Sequence, residues 1–318
     1  MSYNFHEELQ QWCIENNISR TDLIAKLQLL NYEEFQGLDS ITLSRWITGK
    51  TTPALYKQFL IAKSLDVNLM HFILKINSPI NKCSSKISKL VTSFIKVLDF
   101  SFHTLSYTPG VSETSSIIEF DNYSEHIDKF GSFYRNISPT SKYIEQLYLK
   151  ENDITYTSFS IRNQHSEILA HWVGIEDLEL INGMSSFISI PANELAKSCV
   201  LNIGYFRNSR QYFELIIMAL CYYILSPQKK KEFAYIYISG TAVYELTKNV
   251  FNAEDIKYYP PIRESNIPGV HLVKVNIMKN LVNPVLLPQI KNRLHCLNDG
   301  CINDCKYCNL KEVHSMFK

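Results

Sequence analysis

Four cysteines stand within thirteen residues, Cys296-Leu-Asn-Asp-Gly-Cys301-Ile-Asn-Asp-Cys305-Lys-Tyr-Cys308, so thiolates recur at intervals that one metal ion or cluster could bridge. The Asn, Asp and Gly residues between them suit turns that fold the backbone around Zn²⁺, which needs about 2.3 Å to each sulfur in a tetrahedral site. A [4Fe-4S] cluster uses the same ligands. With Cys296, Cys301, Cys305 and Cys308 all bound, no coordination position stays open, as expected of structural zinc or a redox-sensing cluster, and His295 or His314 could replace one cysteine. The other four cysteines, Cys13, Cys83, Cys199 and Cys221, are scattered singly and read as small core residues.

A second group of residues with chemical capacity lies between Ile18 and Pro53. If a helix starts at Asp39, steps of about 100° per residue put Leu43, Trp46 and Ile47 on one face and Ile41, Ser44, Arg45 and Thr48 on the other. Asp39 suits an N-cap, Gly49 a left-handed closing residue, and Pro53 follows soon after. An earlier helix starting near Ser19 would bury Leu23, Ile24 and Leu27 against the same core and place Arg20 where a phosphate would lie.

Thr42-Leu-Ser-Arg-Trp-Ile-Thr-Gly-Lys50, Pro53 and the helix that follows resemble the Cro/CI-type (XRE) helix-turn-helix family, over roughly Phe5 to Leu74. That resemblance implies a second helix in the major groove of double-stranded DNA. Ser40, Ile41, Thr42, Ser44 and Arg45 would be its base or backbone contacts, with Arg20 and Lys50 on phosphates. The chain departs from the family pattern at Leu30–Gly37, which adds about eight residues where the family makes a tight turn. Residues 1–80 also carry seven Lys/Arg against eight Asp/Glu, so affinity per module would be modest and a homodimer would follow. Lys82, Lys86, Lys89 and Lys96, with Ile87, Leu90, Val91, Phe94, Ile95 and Leu98 at helical spacing, predict a basic connecting helix. It would pair with a second copy or cap the next domain.

At 318 residues, 46% hydrophobic and 20% charged, the chain is long enough for two domains with cores. Its net charge of +1 points to no bulk polyanion preference. No run of about 18 apolar residues occurs, and Met-Ser-Tyr-Asn-Phe-His-Glu-Glu lacks a signal region, so no membrane partner and a cytoplasmic location are expected.

After a polar, turn-rich stretch at residues 105–116, strands and helices alternate. Strands are expected at 116–120, 154–162, 168–175, 187–190, 199–206, 233–239, 256–259 and 270–277. Helices are expected at 124–136, 141–150, 209–225 and 242–249. Over roughly residues 115–280 this order resembles the acetyl-CoA-dependent (GNAT-type) N-acetyltransferases. In that family a small-residue motif at the start of the long helix holds the cofactor pyrophosphate on backbone amides. The matching stretch here is Arg207-Asn-Ser-Arg210-Gln-Tyr212, in which Arg210 and Tyr212 replace small residues and would fill the phosphate space. His171 beside Trp172 reads as packed core, Glu176, Asp177 and Glu179 as a solvated loop, and Lys229–Lys231 as a solvated turn.

The sequence therefore predicts a multi-domain chain. An all-α helix-turn-helix domain (1–78) and a basic helix and linker (79–114) precede an α+β, GNAT-like domain (115–288) with a possible small-molecule ligand. A four-cysteine metal tail (289–318) closes it. The function expected is sequence-specific transcription regulation, and the alternative is an acyltransferase fused to a DNA-binding domain.

Overall fold

The computed structural model describes residues 3–76, 83–103, 113–135, 137, 154–181, 190–226, 231–261, 269–299 and 307–317. The chain divides into two compact units, one made of Met1–Lys82 with Leu281–His295, the other of Cys83–Asn280 with Cys296–Lys318. No helix among the described residues is long and apolar enough to cross a membrane.

The first unit is helical: α1 (Phe5–Glu15), α2 (Arg20–Leu30), α3 (Tyr32–Phe35), α4 (Ser40–Ile47), α5 (Leu55–Ser64) and α6 (Leu69–Lys75). The Ser19 hydroxyl accepts from the Asp22 amide at 3.2 Å to start α2, and the Asp39 carboxylate accepts from the Thr42 amide at 2.6 Å to start α4. Leu9, Leu23, Leu27, Leu43 and Phe59 are wholly buried, and Gly49 closes α4 with φ +72°. The helix pair predicted from the sequence is not joined by a turn. The extra residues fold into α3, anchored by the buried Phe35, so a third helix separates α2 from α4.

The second unit is α+β. It contains α7 (Ser85–His103), β1 (Ser115–Asp121), α8 (Tyr123–Arg135), β2 (Tyr156–Arg162), β3 (Ile168–Ile175) and β4 (Ser198–Leu201). There follow α9 (Ser209–Leu225), β5 (Phe233–Ser239), α10 (Thr241–Val250), β6 (Glu254–Tyr259) and β7 (Val270–Asn276). Beyond β7 lie α11 (Ile277–Leu281) and α13 (Leu310–Met316), while α12 (Leu287–Asn298), between them in the chain, belongs up to His295 to the first unit. The seven strands form one sheet in the order β1-β2-β3-β4-β5-β7-β6. Every pairing is antiparallel except β4 with β5.

Alternation along the strands assigns the faces of this sheet. Tyr156, Val173, Val200 and Tyr235 join the core with Phe130 and Tyr134 of α8, whereas Phe159, Leu201 and Ala234 line a cavity with α9. Beyond Glu214, helix α9 is apolar all round and almost wholly buried, as such a pattern requires. It keeps the predicted bounds, but the strand expected at 199–206 ends at Leu201. The expected helix at 141–150 lies outside the described residues, as does all but Ile190 of the expected strand at 187–190.

Candidate functional site

The parallel pair β4/β5 is in register from Ser198↔Phe233 to Leu201↔Ile236. Beyond it the strands part. The chain leaving β4 stays with β3, through the Asn202 amide on the Val173 carbonyl at 2.8 Å and reciprocal bonds between His171 and Tyr205. Residues Tyr237–Ser239 of β5 continue along β7. Among the described residues the parting leaves one edge of each strand without a ladder, and α9 begins eight residues past Leu201 with its amide end leading. Facing strand edges suit an extended ligand carrying amides, and a helix N-terminus suits an anion.

The start of α9 is, however, satisfied from within. The Arg207 amide donates to Gln211 Oε1 at 2.7 Å and the Gln211 amide to Asn208 Oδ1 at 2.9 Å. The Ser209 amide and hydroxyl both donate to the Asp99 carboxylate of α7, at 2.8 and 2.9 Å. Helix α7 packs on both α9 and α10, and its buried Phe94 meets the rings of Tyr212 and Phe213 at 5.0 and 5.9 Å. Tyr212 does not fill the phosphate space as the sequence suggested. Its ring is buried, with its hydroxyl 3.3 Å from Thr247 of α10, while Arg207 and Arg210 are exposed. With α7 docked, a diphosphate does not fit on these amides, because a carboxylate of the chain already holds Ser209.

On the α8 face of the sheet lies a cluster of buried polar groups in an aromatic setting. His126 stacks on Tyr156 with centroids 4.0 Å apart and planes 2° from parallel. His171 packs against Phe130 at 4.6 Å and Phe133 at 4.8 Å. Both ring nitrogens of His126, the Tyr156 hydroxyl, His171 Nε2 and, at the parting itself, the side-chain oxygen of Asn202 are buried and find no partner among the described residues. Each such group costs about 1–3 kcal/mol when left unsatisfied. Burial pushes His126 down to about 4, against the pull of the Asp121 carboxylate, and His171 down to about 3, so both are neutral at pH 7. The sequence did not flag His126. The available signal was the i, i+4, i+8 stripe of His126, Phe130 and Tyr134 on α8.

Beneath α9 an apolar cavity of about 90 Å³ is lined by Phe159, Gly174, Leu201, Ala219, Tyr222 and Tyr223. Glu176 is no solvated loop residue, since it accepts the hydroxyls of Thr157 and Tyr222 at 2.7 Å each. Lys231 is buried and donates to the Ala196 carbonyl at 3.1 Å. The Cys199 thiol is pushed up to about 12 by burial, which leaves it protonated and inert.

The residues expected on DNA lie in the helical unit. Ser40, Ile41 and Arg45 are exposed on α4, Thr42 and Ser44 are half-buried there, and Arg20 and Lys50 are exposed at the start of α2 and beyond α4. Of the four expected metal ligands, Cys301 and Cys305 lie outside the described residues. Cys296 is exposed at the end of α12, and Cys308 forms a bridge beside Ser116 of β1. Among the described residues, which include only Cys296 and Cys308 of the four, no three His, Cys, Asp or Glu side chains converge as a metal site.

No family model and no curated protein matches the chain. One similar solved structure is an aminoglycoside N(6')-acetyltransferase from Legionella pneumophila subsp. pneumophila str. Philadelphia 1. It is 13% identical with a TM-score of 0.32, covering 54% of this chain and 98% of that one. Another is the N-terminal domain of a ribosomal-protein-alanine acetyltransferase from Clostridium acetobutylicum ATCC 824. It is 6% identical with a TM-score of 0.25, covering 37% and 82%. The expectation of an XRE-type, DNA-binding transcription regulator is overturned. A third helix stands where the helix-turn-helix family has a turn.

Proposed function

We propose that the α+β unit is an acyltransferase that moves an acyl group from a thioester to an amine, working when α7 is displaced. The observation that carries this reading is the parting of β4 and β5 directly ahead of the amide end of α9. An acyl donor with an amide-bearing extended arm and a diphosphate has the two features that such a cleft and helix end complement. The exposed Arg207 and Arg210 add positive charge beside that helix end. In the docked arrangement Asp99 occupies the Ser209 amide and hydroxyl, which an anion would need, until α7 moves.

Calorimetric titration of acetyl-CoA into the full chain and into Asp99→Ala tests this. Binding at least tenfold tighter in the variant, with thiol release when an amine is added, is the expected result. If neither protein binds acetyl-CoA or releases thiol, the acyltransferase reading fails.

A further inference from the structure

We infer that the apolar cavity beneath α9 is a binding site for a small uncharged hydrocarbon, distinct from the cleft at the parting of β4 and β5. A helix packs closely on a sheet only where side chains fill the space between them, and here both layers carry small ones. Ala219 on α9, Gly174 on β3 and Ala234 on β5 all line the cavity. From Leu215 to Leu225 every residue of α9 is buried except Ala219, which is half-buried. The rings of Phe159, Tyr222 and Tyr223 add to a wall of carbon around about 90 Å³.

The polar groups bordering that space are engaged within the chain. The Thr157 and Tyr222 hydroxyls donate to Glu176 at 2.7 Å each, and the Tyr223 hydroxyl donates to the Lys231 carbonyl at 2.8 Å. Lys231 Nζ donates to the Ala196 carbonyl at 3.1 Å, and the Cys199 thiol to the Phe233 carbonyl at 3.7 Å. A buried water needs about two to four polar partners, whereas an engineered apolar cavity of about 150 Å³ takes up benzene or xenon. A charged or strongly polar guest would give up its hydration here with no hydrogen bond in return. The cavity is also separate from the cleft. Its β4 and β5 walls, Cys199, Val200, Leu201 and Ala234, belong to the paired stretch, and at 1.5 Å per residue Ala219 lies about 15 Å along α9 from Ser209. Occupancy there requires neither an acyl donor nor movement of α7.

The test uses the full chain with ¹³C-labelled alanine methyls, because Ala219 and Ala234 report from the two walls. The probes are two rings of one size, cyclopentane and tetrahydrofuran, in the second of which an ether oxygen replaces a methylene. The expected result is saturable movement of both methyl signals with cyclopentane and at least tenfold weaker binding of tetrahydrofuran. Ala219→Leu fills the cavity from α9 and should abolish the movement of the Ala234 signal. If that variant does not fold, Ala234→Val fills the space from β5 and is read at Ala219. Unmoved methyl signals with cyclopentane would mean that packing closes the cavity to ligands and would overturn the inference. Equal affinity for the two rings, or movement of Ala234 that survives Ala219→Leu, would overturn it as well.

Discussion

At the scale of single residues, the two buried histidines tie stability to pH. Their folded-state values, about 4 for His126 and about 3 for His171, lie below the ordinary 6.5. Above pH 6.5 both states hold neutral rings. As pH falls through the window from about 6.5 to 3, the unfolded chain binds protons that the folded one refuses, so stability drops by on the order of a few kcal/mol. Thermal melts followed by circular dichroism between pH 7 and 4 should show a falling Tm, with a shallower slope in His126→Phe; identical slopes would remove His126 from the account. Gly174 makes a different demand. A Cβ there would stand 2.9 Å from the Leu201 side chain and 3.0 Å from the Val200 carbonyl, where β3 meets β4. Gly174→Ala should cost about 1–3 kcal/mol by overpacking, measured as a shift in denaturant midpoint. Neither histidine's behaviour was legible in the sequence, because burial and partner count are properties of α8 lying on β2 and β3.

Elements read well wherever the local pattern is strong. Caps at Ser19 and Asp39, the Leu43/Trp46/Ile47 face and the bounds of α9 were all visible in residue order, since capping and amphipathic spacing act within a few residues. The insertion before Gly37 was visible too, but not that Phe35 would bury and turn it into α3, which depends on a core built from distant helices. Helix α7 is the clearest case of tertiary choice. Its stripe allowed either a second copy or the next domain, and in the fold it packs on α9 and α10. Within α9, Tyr222 donates to Glu176, just past the end of β3, so Tyr222→Phe should lower stability by about 1 kcal/mol, and chemical denaturation checks it.

For the whole molecule, the division into a helical and an α+β unit predicts that core damage stays local. Leu43→Ala, at a wholly buried position of the helical unit, should cost about 2–5 kcal/mol there, whereas Gly174→Ala lowers the α+β unit. Differential scanning calorimetry should show two transitions, each lowered by one of the two variants; a single transition lowered by both would contradict independent units. The sequence by itself determined the class of each half, an all-α half and an α+β half, because hydrophobic period and turn residues are local signals. It also contained the order of strands and helices that aligns a long helix behind β4. Only the tertiary structure decided that β4 and β5 part after Leu201, that Asp99 sits 110 residues away from the Ser209 amide it binds, and that His126 and His171 share one buried face. Those pairings join segments far apart in the chain. They follow from which surfaces bury together, and no window of residues contains that information.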